Sequence, residues 1–168
     1  MDNWKKDFNG YFEQRKQEKK RSKENLERRK AEVENFFKSV VAPAFDEIKI
    51  EVEKKYNREA YIHEYPALNR VSIRIYLKKE KRQEHELEEY TAEEERQEFI
   101  YFIQAYISSD ATTIHSEKVL KNEAGLWLKG STPITTSSGV IVSDISKVTK
   151  ELIINNFLEC YTTYRNKA

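Results

Sequence analysis

Apolar positions over residues 3–41 recur at helical spacing, with no proline and with Gly10 as the only glycine. Lys, Glu, Arg and Gln fill most of the remaining positions, and all are good helix formers. Opposite charges fall four residues apart at Lys20/Glu24, Lys23/Glu27 and Glu24/Arg28, each pair adding about 0.2–0.5 kcal/mol to a helix. The pattern predicts one long helix with an uneven apolar stripe. Trp4, Phe8, Tyr11 and Phe12 cluster at one end, and Glu13 to Asn25 contains no apolar residue. Leu26, Val33, Phe37 and Val40 then step by seven, four and three, the spacing of a coiled-coil seam. Phe36 and Val41 widen that stripe, as a helix landing on a core requires. Both readings of the stripe, seam and landing face, stand at this point.

Pro43 interrupts next, either as the first residue of a second helix or as a kink in a continuing one. Phe45, Ile48, Val52 and Tyr56 keep helical spacing up to Asn57, a cap residue.

The period then changes to two, the signature of strands. Tyr61–Tyr65 reads as a strand stopped by Pro66. Val71, Ile73, Ile75 and Leu77 alternate with Ser72, Arg74, Tyr76 and Lys78. Phe99–Ile107, Thr112–Val119 and Leu126–Ser131 complete the series, followed by a Ser/Thr-rich loop over Ser131–Gly139. The Glu-rich stretch 80–98 reads as a loop, a short helix or a strand extension. A last helix is expected over about Ser146–Tyr164, with Ile145, Val148, Leu152, Ile153, Phe157, Cys160, Tyr161 and Tyr164 on its buried face. Ser143, Asp144, Ser146 and Thr149 compete as its N-cap. The order predicts an α+β fold: a long N-terminal helix, an antiparallel meander of four or five strands, and a C-terminal helix packed on one sheet face. It divides the chain into a charged helix, residues 1–41, and an α+β domain, residues 42–168.

Length changes the picture. A helix over 3–41 is roughly 58 Å long, while a compact body of ~125 residues has a radius of gyration of about 14 Å. The helix outruns the body, so part of it projects or finds a partner. Pairing with a second copy through Leu26, Val33, Phe37 and Val40 predicts a homodimer.

Charge adds a second surface. The 168 residues carry a formal net charge of only +1. Residues 1–30 nevertheless hold eleven Lys/Arg against six acids, and residues 80–98 hold nine Glu against three basic residues. Lys19, Lys20, Arg21, Lys23, Arg28 and Arg29 are candidate phosphate contacts, although Glu13, Glu18, Glu24 and Glu27 dilute their field. Strand phase gives a further candidate. If Val71, Ile73 and Ile75 face the helices, Arg74 and Tyr76 lie on the other face. Tyr61, His63, Tyr65, Gln104, Tyr106, His115, Glu117, Trp127 and Lys129 can join them there. Arg74, Tyr76, Tyr106 and His115 are the binding residues expected on that aromatic and basic surface, which suits stacked bases or peptides.

Catalytic chemistry finds no motif. His63, His85 and His115 are far apart and have no pair of cysteines, so neither a metal nor another cofactor is expected. Gly125–Ser131 imitates phosphate-loop spacing, but Lys129 precedes the second glycine and bulky apolar residues fill the interval. Cys160 falls on an apolar helix face, where thiols are inert. His63, Arg74, His115 and Glu117 form the one assembly whose geometry bears on an enzyme. Cys160 alone favours a reducing compartment, and the charged opening Met1–Lys6 lacks a signal-peptide core. No apolar run reaches the roughly 20 residues of a membrane helix. The expectation is a cytoplasmic, non-enzymatic interaction and assembly module that presents its body to a protein partner. Nucleic-acid binding, RNA above all, through the basic helix or the sheet face is the alternative.

Overall fold

The computed structural model describes residues 3–78, 96–108, 110–122 and 124–167. Helix α1 (Asn3–Phe36) runs through a π-helical turn (Phe37–Val41) into α2 (Ala42–Lys55). The turn explains how helix continues past Pro43. Proline cannot donate to the carbonyl four residues back, and its ring clashes there. Widening the preceding turn, with the Ala42 N–H reaching Phe37 O, removes the conflict. Asn57 ends the helix in the left-handed region, φ 53°, where Asn is tolerated.

None of the ion pairs expected at Lys20/Glu24, Lys23/Glu27 and Glu24/Arg28 is closed. The helical pairs that form, Lys38–Glu34 at 3.2 Å and Lys55–Glu51 at 2.5 Å, lie nearer the body. Long side chains in full solvent gain little by closing such pairs.

Five strands follow: β1 (Arg58–Tyr65), β2 (Arg70–Leu77), β3 (Gln97–Ile107), β4 (Thr112–Lys121) and β5 (Trp127–Ser131). They pair antiparallel in the order β1-β2-β3-β4-β5. The sheet is a meander, and the connections 66–69, 108–111 and 122–126 are too short for parallel crossovers. A register shift opposite Ile75/Tyr76 adds a residue at the start of β3. That bulge brings Glu98, from the end of the Glu-rich stretch, to Arg58 Nε at 2.8 Å and the Tyr161 hydroxyl at 2.6 Å. Residues 80–95 of that stretch, including His85, lie outside the described residues.

The C-terminal helix α3 spans Lys150–Lys167, starting later than its apolar pattern suggests. Residues 143–148 are held otherwise: Ile114 N–H donates to Ser143 O, and Asp144 Oδ1 accepts from Ser146 N and Oγ. Thr149 is the cap that operates, its Oγ1 accepting from Leu152 N at 3.3 Å.

Helices α2 and α3 cover one face of the sheet. Phe45, Ile48 and Val52 from α2 meet Ile153, Phe157 and Tyr161 from α3 over Ile73, Ile75, Phe99, Tyr101 and Ile103. Tyr101 is fully buried and donates its hydroxyl to Asn156 Oδ1 at 2.5 Å. Asn156 in turn donates to Pro133 O at 2.9 Å, tying the loop after β5 to α3.

Candidate functional site

Two surfaces remain after the core is built. The first is the free part of α1. Every residue from Asn3 to Arg28 is exposed. Arg29 is the first residue along α1 that is partly buried, and its Nη1 donates to Thr112 Oγ1 at 3.3 Å. Val33 and Phe36 are then buried, and Phe37 and Val40 pack against the core. Three of the four expected seam residues, Val33, Phe37 and Val40, therefore serve the chain's own body, and Leu26 alone remains 43% exposed. The landing-face reading of that stripe accounts for its widening at Phe36 and Val41.

The aromatic end of α1 has no such use. Trp4, Phe8, Tyr11 and Phe12 are each more than half exposed. At 100° per residue they occupy an arc of about 100° on one side of the helix. Their rings already interlock, Phe8 with Phe12 at 4.8 Å and Tyr11 with Phe12 at 5.7 Å. The basic residues behave differently. Lys19, Lys20, Arg21, Lys23 and Arg28 are exposed but encircle the helix, Arg21 and Arg28 falling about opposite Lys19. They form no single phosphate-facing stripe, and Arg29 is committed to the body.

The second surface is the open face of the sheet. The register places Tyr61 beside Arg74, Arg74 beside Ile100, and Ile100 beside Val119. One row away, His63, Ser72, Phe102 and Glu117 align. Beyond them Tyr65, Arg70, Gln104 and His115 align in turn. Side chains alternate between faces with period two, so all the residues expected on this face lie on it. They do not form one site. Tyr106 is six residues along β3 from Ile100, the strand neighbour of Arg74, about 20 Å at strand rise. Tyr106 and His115 make one local pair, rings 5.0 Å apart. Tyr76 meets Tyr61 at 5.4 Å, and Arg74 Nη2 donates to the Tyr65 hydroxyl at 3.0 Å. Arg70 donates to Gln104 Oε1 and lies over the Phe102 ring at 4.9 Å.

The quartet His63, Arg74, His115 and Glu117 is likewise spread out. Glu117 sits three strands from His63, about 14 Å at sheet spacing, and is paired with Lys129 at 3.2 Å. Burial, with the Arg74 charge second, holds His63 below the ordinary imidazole range, so it is neutral at pH 7. Among the described residues no group of three or more His, Cys, Asp or Glu could hold a metal ion. Nor is any helix there long and apolar enough to cross a membrane.

Pattern reading missed how deeply part of this open face is sunk. Ser72 is 0% exposed, and Tyr76 and Ile100 are each 8% exposed, although all three point away from the helices. No signal in the alternation distinguishes a sunken open face from a flat one.

Cys160 is buried on α3 with Sγ 2.8 Å from Thr132 Oγ1. Burial pushes its thiol up, outweighing the lowering by that contact. The thiolate is thus scarcer than in a free cysteine, and it is the thiolate that reacts. Native protein is expected to react with Ellman's reagent at least about tenfold more slowly than the urea-unfolded chain at the same pH. Equal rates would show the thiol to be accessible.

Comparison of the chain with protein-family models, curated proteins and solved structures finds no match.

Proposed function

We propose that this protein is a non-catalytic assembly module that pairs with a second copy through the free end of α1, leaving its α+β body available to a further protein partner. The observation that carries the reading is the exposed arc of Trp4, Phe8, Tyr11 and Phe12 on a helix whose residues Asn3 to Arg28 are all exposed. A contiguous apolar patch of this kind marks an interaction site. Isolated helices are marginal in water, and packing of an apolar face supplies most of their stability. A second copy brings an identical arc, which self-complementary twofold pairing uses directly. A chain with one cysteine suits a cytoplasmic setting. Sedimentation velocity over a wide concentration range tests the pairing. A monomer–dimer equilibrium is expected; a single monomeric species at every concentration would overturn it.

A second reading, nucleic-acid binding, is favoured by the open sheet face, where Arg70 and Lys121 each sit over an aromatic ring. Single strands bind such combinations of cation and stacking platform with steep salt dependence. A salt titration with single-stranded RNA separates it from simple pairing.

A further inference from the structure

We propose that the cleft at one end of the open sheet face is a nucleotide site, with Trp127 stacking the base and Lys121 and Arg74 taking the phosphate. The cleft has a volume of about 530 Å³. Ile100 and Val119, neighbours in register, give it an apolar floor. Arg74 on β2 stands on one side, with Lys121 on β4 and Trp127 on β5 on the other. Two strand spacings, about 10 Å, separate Arg74 from Lys121 at the backbone and three, about 14 Å, separate it from Trp127, distances that the long Arg and Lys side chains can span toward a ligand.

Two cations, Arg74 and Lys121, line this cleft. Neither Arg74 nor Lys121 belongs to an ion pair among the described residues, whereas Lys129 nearby is matched by Glu117. Arg74 makes one hydrogen bond there, through Nη2 to Tyr65, while its Nε is buried without a partner. Two residues away on the same face, the fully buried Ser72 Oγ also has none. Buried polar groups are normally satisfied, and leaving a charged donor unmet is costly. An anion in the cleft meets the guanidinium at Nη1, which is neither buried nor hydrogen-bonded among the described residues.

Trp127 identifies what the anion is attached to. The residue is 43% exposed, and Lys121 Nζ lies 5.9 Å from its ring centroid. The lysine stem is flexible, so the ammonium can leave the ring for a phosphate and clear the indole face for a base. Gln97, at the rim, offers an amide to the base edge. An anion carried on a flat ring satisfies all three features at once. Its source is either a free nucleotide or one unit of an RNA strand.

The test is calorimetric titration of the full-length protein with uridine monophosphate, uridine, inorganic phosphate and hexauridylate. Uridine monophosphate is expected to bind, with uridine and phosphate each roughly tenfold weaker or more. Trp127→Ala and Lys121→Gln are each expected to weaken it about tenfold, and Trp127→Phe to restore most of the loss. Trp127 opens the edge strand β5 and Lys121 ends β4 beside it, and unchanged circular dichroism confirms that the variants fold. A hexamer that binds more tightly than the monomer assigns the site to an RNA strand; equal affinity assigns it to the free nucleotide. Absence of binding by both, inorganic phosphate binding as well as the nucleotide, or affinities untouched by the two variants would overturn the proposal. The inference rests on the sheet-face half of the nucleic-acid reading, and the arms keep the two apart. Monomer binding without strand binding retains the site and removes that reading. Strand binding indifferent to Trp127→Ala and Lys121→Gln does the reverse.

Discussion

Replacing Phe157 by alanine is expected to destabilise the fold by about 3–5 kcal/mol, measured as a fall in the urea midpoint followed by far-ultraviolet circular dichroism. Phe157 is fully buried, and its ring stands 5.4 Å from Tyr101, 5.9 Å from Phe99 and 5.6 Å from Tyr161. These rings lock α3 onto β3, so truncation leaves a void bounded by rigid aromatic groups. Such groups collapse into a void poorly, which places the cost at the upper end of large-to-small substitutions. Total stability of a domain is about 5–15 kcal/mol, so this one change removes a large part of it. Tyr164→Ala is the control. Its ring also touches Phe99, at 5.7 Å, but is only half-buried, and a rim residue that can be rehydrated loses less. A Phe157→Ala loss no larger than that of Tyr164→Ala would mean that α3 is not anchored by this cluster.

The face of each strand was legible because one strand, Val71 to Leu77, alternates cleanly and fixes the phase of its neighbours. A register slip of one residue would have turned every side chain over. Tyr61, His63, Gln104, His115 and Trp127 all lie opposite the helices, as that phase demands. The bulge at the start of β3 has no such cue, so nothing in the pattern separates Glu98, which is paired with Arg58, from the other glutamates of 80–98. The late start of α3 was hidden for a related reason: Ile145 and Val148 are buried at helical spacing but from turns tied to β4. Leu26, Val33, Phe37 and Val40 show the limit of periodicity most clearly. An amphipathic helix packing on its own domain and a coiled-coil seam repeat at nearly the same interval. Only the tertiary structure assigns Val33, Phe37 and Val40 to the first. The cleft beside Arg74 was out of reach, because it depends on how far the sheet face is sunk around Ile100 and not on which residues share it.

Converting both Phe8 and Phe12 to glutamate in the full-length chain is expected to raise the dimer dissociation constant by at least about a hundredfold, read by sedimentation at matched concentrations. The two rings pack edge to face, 4.8 Å apart within the exposed arc, where twofold pairing would bury them. Carboxylates there add two desolvation penalties and bring like charges together across the pair. Lys19→Glu with Lys20→Glu changes net charge by twice as much and leaves the aromatic arc intact, so pairing driven by the arc survives it. Loss of pairing in the lysine variant instead would make the contact electrostatic. The body offers an independent readout. Residues Asn3 to Arg28 are all exposed and none belongs to the core, so the cooperative unfolding of the sheet and α3 is expected at the same urea concentration in both variants. Helicity is expected to separate them, because an unpartnered helix of this composition frays. The 222 nm signal of the Phe8/Phe12 variant should fall before the body unfolds, and that of the lysine variant should not. A Phe8/Phe12 variant that stays dimeric and fully helical would place the pairing surface elsewhere on the chain.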